Sequence, residues 1–188
     1  MAYNDFIVVE GMDGAGKTTL VNALASYFPD ALITREPTKE CHGLEEFLED
    51  RRRHWKEEIR PVLERGGMVI CDRFSDSTAV YQGGIAESPI TPEQWGELKE
   101  GQIEHGQEAG LTLVLVCDPL LALERIRARA GEKGVDGEWE TEEKLNRQYA
   151  FYRLLALVQP RHQLIDTTRF SPEAVTKLAI GKIANRNS

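Results

Sequence analysis

The sequence predicts an α/β fold, a parallel sheet of five strands with helices on both of its faces. Three observations predict it. Short β-rich apolar runs alternate with segments of helical spacing; the runs are apolar at successive positions, as strands covered on both faces are; and each polar motif follows the end of a run. In an open sheet of this kind, ligands bind beyond the carboxyl ends of the strands.

Taken in order, the strands are Phe6 to Val9, Ala31 to Thr34, Met68 to Cys71, Leu113 to Val116 and, more weakly, Gln163 to Ile165. The helical pattern "LVNALASYF" follows the first of them. Thr91-Pro92-Glu93 and Ser171-Pro172-Glu173 each set a capping hydroxyl before a first-turn proline and an acid, which starts a helix. The stretch "AGEKGVDGEWETEE", residues 130–143, has three glycines and many charges and reads as a mobile surface loop between two helices. At 188 residues, with no repeat or linker, the chain fits a single domain, 1–188.

Composition narrows the class. The formal charge of −8 excludes a sequence-independent grip on a nucleic acid polymer, which needs a basic face for counterion release. No run is long enough to span a bilayer and no signal-type N-terminus is present, so a soluble cytoplasmic protein without membrane partners is expected. Cys41, Cys71 and Cys117 show no CxxC spacing and read as small core residues in a reducing compartment. The four histidines show no metal spacing.

The stretch "GMDGAGKT", Gly11 to Thr18, satisfies G-x-x-x-x-G-K-[ST] between a strand and a helix. Gly11, Gly14 and Gly16, with Asp13, Ala15 and Thr19, form a loop whose backbone N–H groups turn toward phosphates; Lys17 reaches the terminal ones and Thr18 ligates magnesium. From average glycine usage, a chance match somewhere in a chain this long is on the order of 1%. "VICDR" closes the third strand with an acid where such proteins place their second magnesium-organising group, Asp72, although alone it reads equally as a turn residue. Arg73 beside it has a guanidinium fork that matches phosphate oxygens. In "FLEDRRRH", Phe47 and Arg51 share a helix face and can present a ring and a guanidinium to one ligand, while a solvated face is the bland alternative for the charge run. Arg125 and Arg129 of "ERIRARAG" are four apart, with Arg127 pointing elsewhere; a solvent-facing helix competes with a role on a transferring phosphoryl group.

Seven segments, "FIVVEGMDGAGKTT", "TREPT", "FLEDRRRHWKEEIRPVL", "VICDRFSDSTAVYQGG", "LVLVCDP", "ERIRARAG" and "LIDTTRFSPEAV", arrive in an order that resembles the thymidylate kinase family. The resemblance implies a three-layer P-loop NTPase fold with a lid at about 125–143, and transfer of the ATP γ-phosphoryl group to dTMP with Mg²⁺ in dTTP synthesis. It implies that Phe47 stacks on thymine, Arg51 contacts the acceptor nucleotide, Arg73 holds its phosphate and Pro37 shapes the base pocket. Thr78 then faces the base edge, with Tyr81 against the deoxyribose and Gln82 nearby. Asp13 accepts a hydrogen bond from the 3′-hydroxyl, and the lid supplies the catalytic arginines, Arg125, Arg127 and Arg129 being the candidates. A homodimer also follows from the resemblance. The chain departs from it in a short segment 38–46, in Gly137 of the lid, and in Ala79 and Val80, so a kinase for dUMP or a base-modified deoxynucleotide is the alternative.

Overall fold

The structure is a computed structural model and describes residues 3–84, 108–133 and 141–186. Its five strands are β1 (Tyr3–Gly11), β2 (Leu32–Arg35), β3 (Val69–Asp72), β4 (Ala109–Val116) and β5 (His162–Asp166), each at or within a few residues of an expected run. They form one parallel sheet in the order β2-β3-β1-β4-β5. β1 lies at the centre, with Val8 opposite Cys71 on one side and Thr112 on the other. Burial follows position: all of β3 and the last six residues of β1 and β4 are buried, whereas the edge strands β2 and β5 alternate with exposed residues. This is the difference expected between strands covered on both faces and strands at a border.

The helices are α1 (Lys17–Tyr27), α2 (Leu44–His54), α3 (Arg60–Glu64), α4 (Ser75–Ala79), α5 (Pro119–Lys133), α6 (Glu142–Val158) and α7 (Pro172–Ala184), with π-helical turns at Trp55–Ile59 and Val80–Gly84. Successive residues of β1 point to opposite faces. Ile7 and Val9 join a core with Leu20, Val21 and Leu24 of α1 and Val175, Ala179 and Ile183 of α7. Phe6 and Val8 join another with Trp55, Ile59, Leu63 and Phe74. Trp55 packs its ring 5.6 Å from Phe6, a packing role in keeping with its burial.

The caps are legible locally. Ser171 accepts a hydrogen bond from the N–H of Ala174 with Pro172 in the first turn of α7, and Thr141 accepts from Lys144 to start α6. The Thr91 cap and Gly137 lie outside the described residues. The stretch expected as a loop over 130–143 is helical at both of its ends, and 134–140 lie outside the described residues. α5 continues to Lys133 and α6 begins at Glu142, because good helix formers flank Gly131, whose neighbourhood is open enough to cost only its propensity.

Candidate active site

β1 and β3 are hydrogen-bonded neighbours, and the segments leaving their carboxyl ends build the site. After β1, Gly11 has φ 138°, and a Cβ there would stand 2.0 Å from the carbonyl oxygen of Leu115, so only glycine lets the loop lie against β4. Gly14 has φ 78° and would meet Ala122 of α5 at 2.7 Å in the same way. The loop wraps Lys17, which is 7% exposed and donates from Nζ to the carbonyls of Gly11 (2.9 Å) and Met12 (2.8 Å). Burial, helped by the neighbouring Arg73, pushes its ammonium down to about 8 against the pull of Asp13 and Asp72. The Thr18 hydroxyl donates to Asp72 Oδ2 at 3.3 Å, and Asp72 Oδ1 is buried with no hydrogen-bond partner among the described residues.

After β3, Arg73 takes a left-handed backbone, φ 71°, rare for a bulky side chain and costing about 1–2 kcal/mol. Its N–H donates to Val9 O at 2.9 Å, and the turn sends its guanidinium back to Asp13 and to Ser77 Oγ at 3.1 Å. Glu10, wholly buried, holds this corner by accepting from the N–H of Phe74 (2.8 Å), the N–H of Ser77 (3.0 Å) and the hydroxyl of Ser77 (2.6 Å). Burial and the nearby Asp76 raise its pKa, while the Ser77 bonds oppose them. The hydroxyl of Tyr152 lies 3.1 Å from Ser77 Oγ.

The eight residues expected around the acceptor, Asp13, Pro37, Phe47, Arg51, Arg73, Thr78, Tyr81 and Gln82, all line one cavity of about 320 Å³. Ala79 and Val80 are buried and are not part of its lining. Of the "RRR" run, Arg51 turns inward at 3% exposure, Arg52 faces solvent, and Arg53 pairs with Asp50 at 3.0 Å and Glu57 at 3.4 Å. Arg51 donates from Nε to Glu36 Oε2 (2.8 Å) and from Nη2 to Thr78 Oγ1 (2.5 Å), and its Nη1 has no hydrogen-bond partner among the described residues. Glu36 is steadied in turn by His54 at 3.1 Å, which reaches Thr34 at 2.6 Å. The Glu36–Pro37 peptide is cis.

A second cavity of about 350 Å³ lies on the other side of the loop, lined by Gly14, Ala15, Gly16, Thr19, Arg125 and Arg129 with Thr167, Phe170 and Pro172. Arg125 donates from Nη1 to Gly14 O at 3.2 Å; Arg129 donates to Arg125 O at 3.4 Å; Arg127 is exposed and lines neither cavity.

Asp13 joins the two halves. Its carboxylate receives hydrogen bonds from Arg73 and Tyr81, lies 3.6 Å from Lys17 Nζ, and accepts from Gln148 Nε2 at 3.3 Å. Its N–H donates to Gln148 Oε1 at 2.8 Å, so this one N–H of the loop is turned away from the phosphate cradle. Burial would raise the carboxyl, but Lys17, Arg73 and the Tyr81 hydroxyl outweigh it and hold it at about 2. Glu10, Glu36, Gln148 and Tyr152 were not among the expected site residues. The only sequence signal for Glu10 and Glu36 is an acid closing a β-rich run, and for Gln148 and Tyr152 there is none, since their partners are up to 142 residues away.

Comparison with known proteins identifies the family. The family profile described as thymidylate kinase matches residues 43–178. Thymidylate kinases of Mesoplasma florum and Desulfovibrio desulfuricans are 33% and 34% identical, in each case over 90% of this chain and 90% of the relative. A crystal structure of thymidylate kinase from Ehrlichia chaffeensis superposes with a TM-score of 0.70 at 24% identity, covering 94% of this chain and 96% of the other, which carries the fold. With a five-stranded parallel sheet flanked by helices, a phosphate loop between two cavities, and relatives matched over nearly their whole length, the chain belongs to the thymidylate kinase family.

Proposed function

We propose that the two cavities are the acceptor and donor sites of a single in-line transfer, with dTMP beside Arg73 and ATP beside Arg125. The chain is a kinase of a family whose function is phosphorylation of dTMP. The observation that carries the assignment is that one loop walls both cavities, Asp13 in one and Gly14 to Gly16 in the other, with Lys17 between them.

In this reading Phe47 stacks on the base, Thr78 faces its edge with the Arg51 guanidinium beside it, Pro37 shapes the base pocket, and Tyr81 lies against the sugar with Gln82 nearby. Arg73 holds the 5′-phosphate. An oxygen of that phosphate, ionised at neutral pH, attacks the γ-phosphorus of ATP as the bond to the ADP oxygen breaks, giving dTDP and ADP. No general base is required, and catalysis consists of positioning two polyanions and neutralising charge. Lys17 and the loop N–H groups hold the donor phosphates, and Arg125 and Arg129 approach the transferring group from α5. Thr18 and Asp72 fit a magnesium ion: a hydroxyl 3.3 Å from a carboxylate whose other oxygen is buried without a partner is an oxygen donor set suited to a hard cation. When bound there, magnesium would supply positive charge that offsets the charge on the donor phosphates. One kinase domain over 1–188, a lid at about 125–143, a cytoplasmic location and a homodimer belong to the same reading. Among the described residues no helix is long and apolar enough to cross a membrane.

The test is a panel of monophosphates with ATP and magnesium. We expect dTMP to be turned over at least tenfold more efficiently than dCMP, dGMP or AMP. Equal turnover of all of them would overturn the assignment, and a preference for dUMP or a base-modified analogue would move it to the alternative acceptor.

A further inference from the structure

We infer that Gln148 is a positioning residue for acceptor recognition, holding Asp13 so that its carboxylate meets the 3′-hydroxyl of the acceptor sugar. This rests on the dTMP kinase reading above and assigns a role to a helix that begins beyond the lid.

Gln148 lies on α6, is wholly buried, and meets a P-loop residue 135 positions earlier in the chain at two points. The amide accepts from the N–H of Asp13 at 2.8 Å and donates to Asp13 Oδ2 at 3.3 Å. The orientation is fixed by chemistry, because a peptide N–H can be answered only by Oε1 and a carboxylate only by Nε2. Both the backbone and the side chain of Asp13 are thereby held by one rigid planar group. Without it the carboxylate would be oriented only by Tyr81 and by the cations on its other oxygen, Arg73 and Lys17, with nothing tying it to the loop backbone.

Counting acceptor sites shows what the clamp leaves open. A carboxylate has about four lone-pair sites. Tyr81 and Gln148 occupy Oδ2, and Arg73 occupies one position on Oδ1. One acceptor position remains on the wall of the acceptor cavity, enough for a single hydroxyl donor. A sugar lacking that hydroxyl leaves it unanswered.

The experiment compares dTMP with its 3′-deoxy analogue as acceptors for the wild-type chain and for Gln148→Leu, which nearly keeps the volume and removes both hydrogen bonds to Asp13. The wild-type chain is expected to prefer dTMP by about 10–100-fold in kcat/KM, the range carried by a hydrogen bond to a charged group. In Gln148→Leu the KM for dTMP rises about tenfold, that for the analogue stays within about twofold, and the KM for ATP is unchanged, so the preference collapses. In an Asp13→Asn background, Gln148→Leu adds less than about twofold, because it acts through Asp13. If the leucine variant does not fold, Gln148→Asn, whose amide stops one methylene short of Asp13, is read in the same way. An unchanged preference, or equal losses on both acceptors, overturns the inference while leaving the functional reading intact. Failure of the wild-type chain to phosphorylate dTMP overturns both.

Discussion

Asp13 is an acid inside a loop built for anions, and the contradiction disappears once its direction is known. Its carboxylate lines the cavity of Phe47 and Thr78 among Arg73, Tyr81 and Gln148, which in the proposed reading leaves the phosphates to the glycines of the loop. Because its folded pKa of about 2 lies below the ordinary 3.8, the ionised form is favoured by folding. The corresponding stability is fully present above about pH 4 and is lost as pH falls through about 2. We therefore expect urea unfolding to show that the stability difference between the wild-type chain and Asp13→Asn is constant above pH 5 and shrinks by on the order of 1–2 kcal/mol by pH 2. The loop itself was legible because its backbone demands glycine and lysine at fixed spacing. The left-handed turn at Arg73 was not, since nothing in the neighbouring residues marks a position where a guanidinium must double back across the site.

At the scale of the element, α5 separates three arginines by the helical angle. Arg125 touches the loop at Gly14 and Arg129 shares its cavity, whereas Arg127 faces solvent. Arg125→Ala is expected to lower kcat by about 10²–10³-fold at saturating substrates, the effect of deleting one charge-stabilising donor, and Arg127→Ala to stay within about twofold. Comparable losses in both would mean that the lid works by a different face. Periodicity alone separated Arg127 from its neighbours, and the Ser171-Pro172 start of α7 was equally readable from its own residues. Elements whose role lies in a remote contact were not: Glu10 holding the start of α4, His54 and Glu36 steadying Arg51, and α6 reaching the P-loop through Gln148. A residue whose partner is remote in sequence leaves no local pattern.

For the whole molecule, the sheet order places both cavities at the carboxyl ends of its central strands, between cores that pack on opposite faces. Ligands that bind only the folded chain add about 2.7 kcal/mol at a hundred times their Kd. For a chain of this size we expect dTMP at that level to raise the melting temperature by about 5–10 °C in calorimetry, and a non-hydrolysable ATP analogue to add a further rise, since the cavities are separate. A second ligand that merely displaced the first would contradict two sites. The adjacency of β1 and β3 then has a metric meaning. Val9 lies opposite Asp72, and neighbouring strands are spaced about 4.8 Å apart, so the loop that carries Lys17 and the turn that carries Arg73 leave the sheet one ladder interval from each other. In the proposed reading one strand delivers the lysine that meets the donor and the other the arginine that meets the acceptor. The spacing of these two segments where they leave the sheet is thus one interval of a β-ladder, set by backbone hydrogen bonds and not by the side chains that follow.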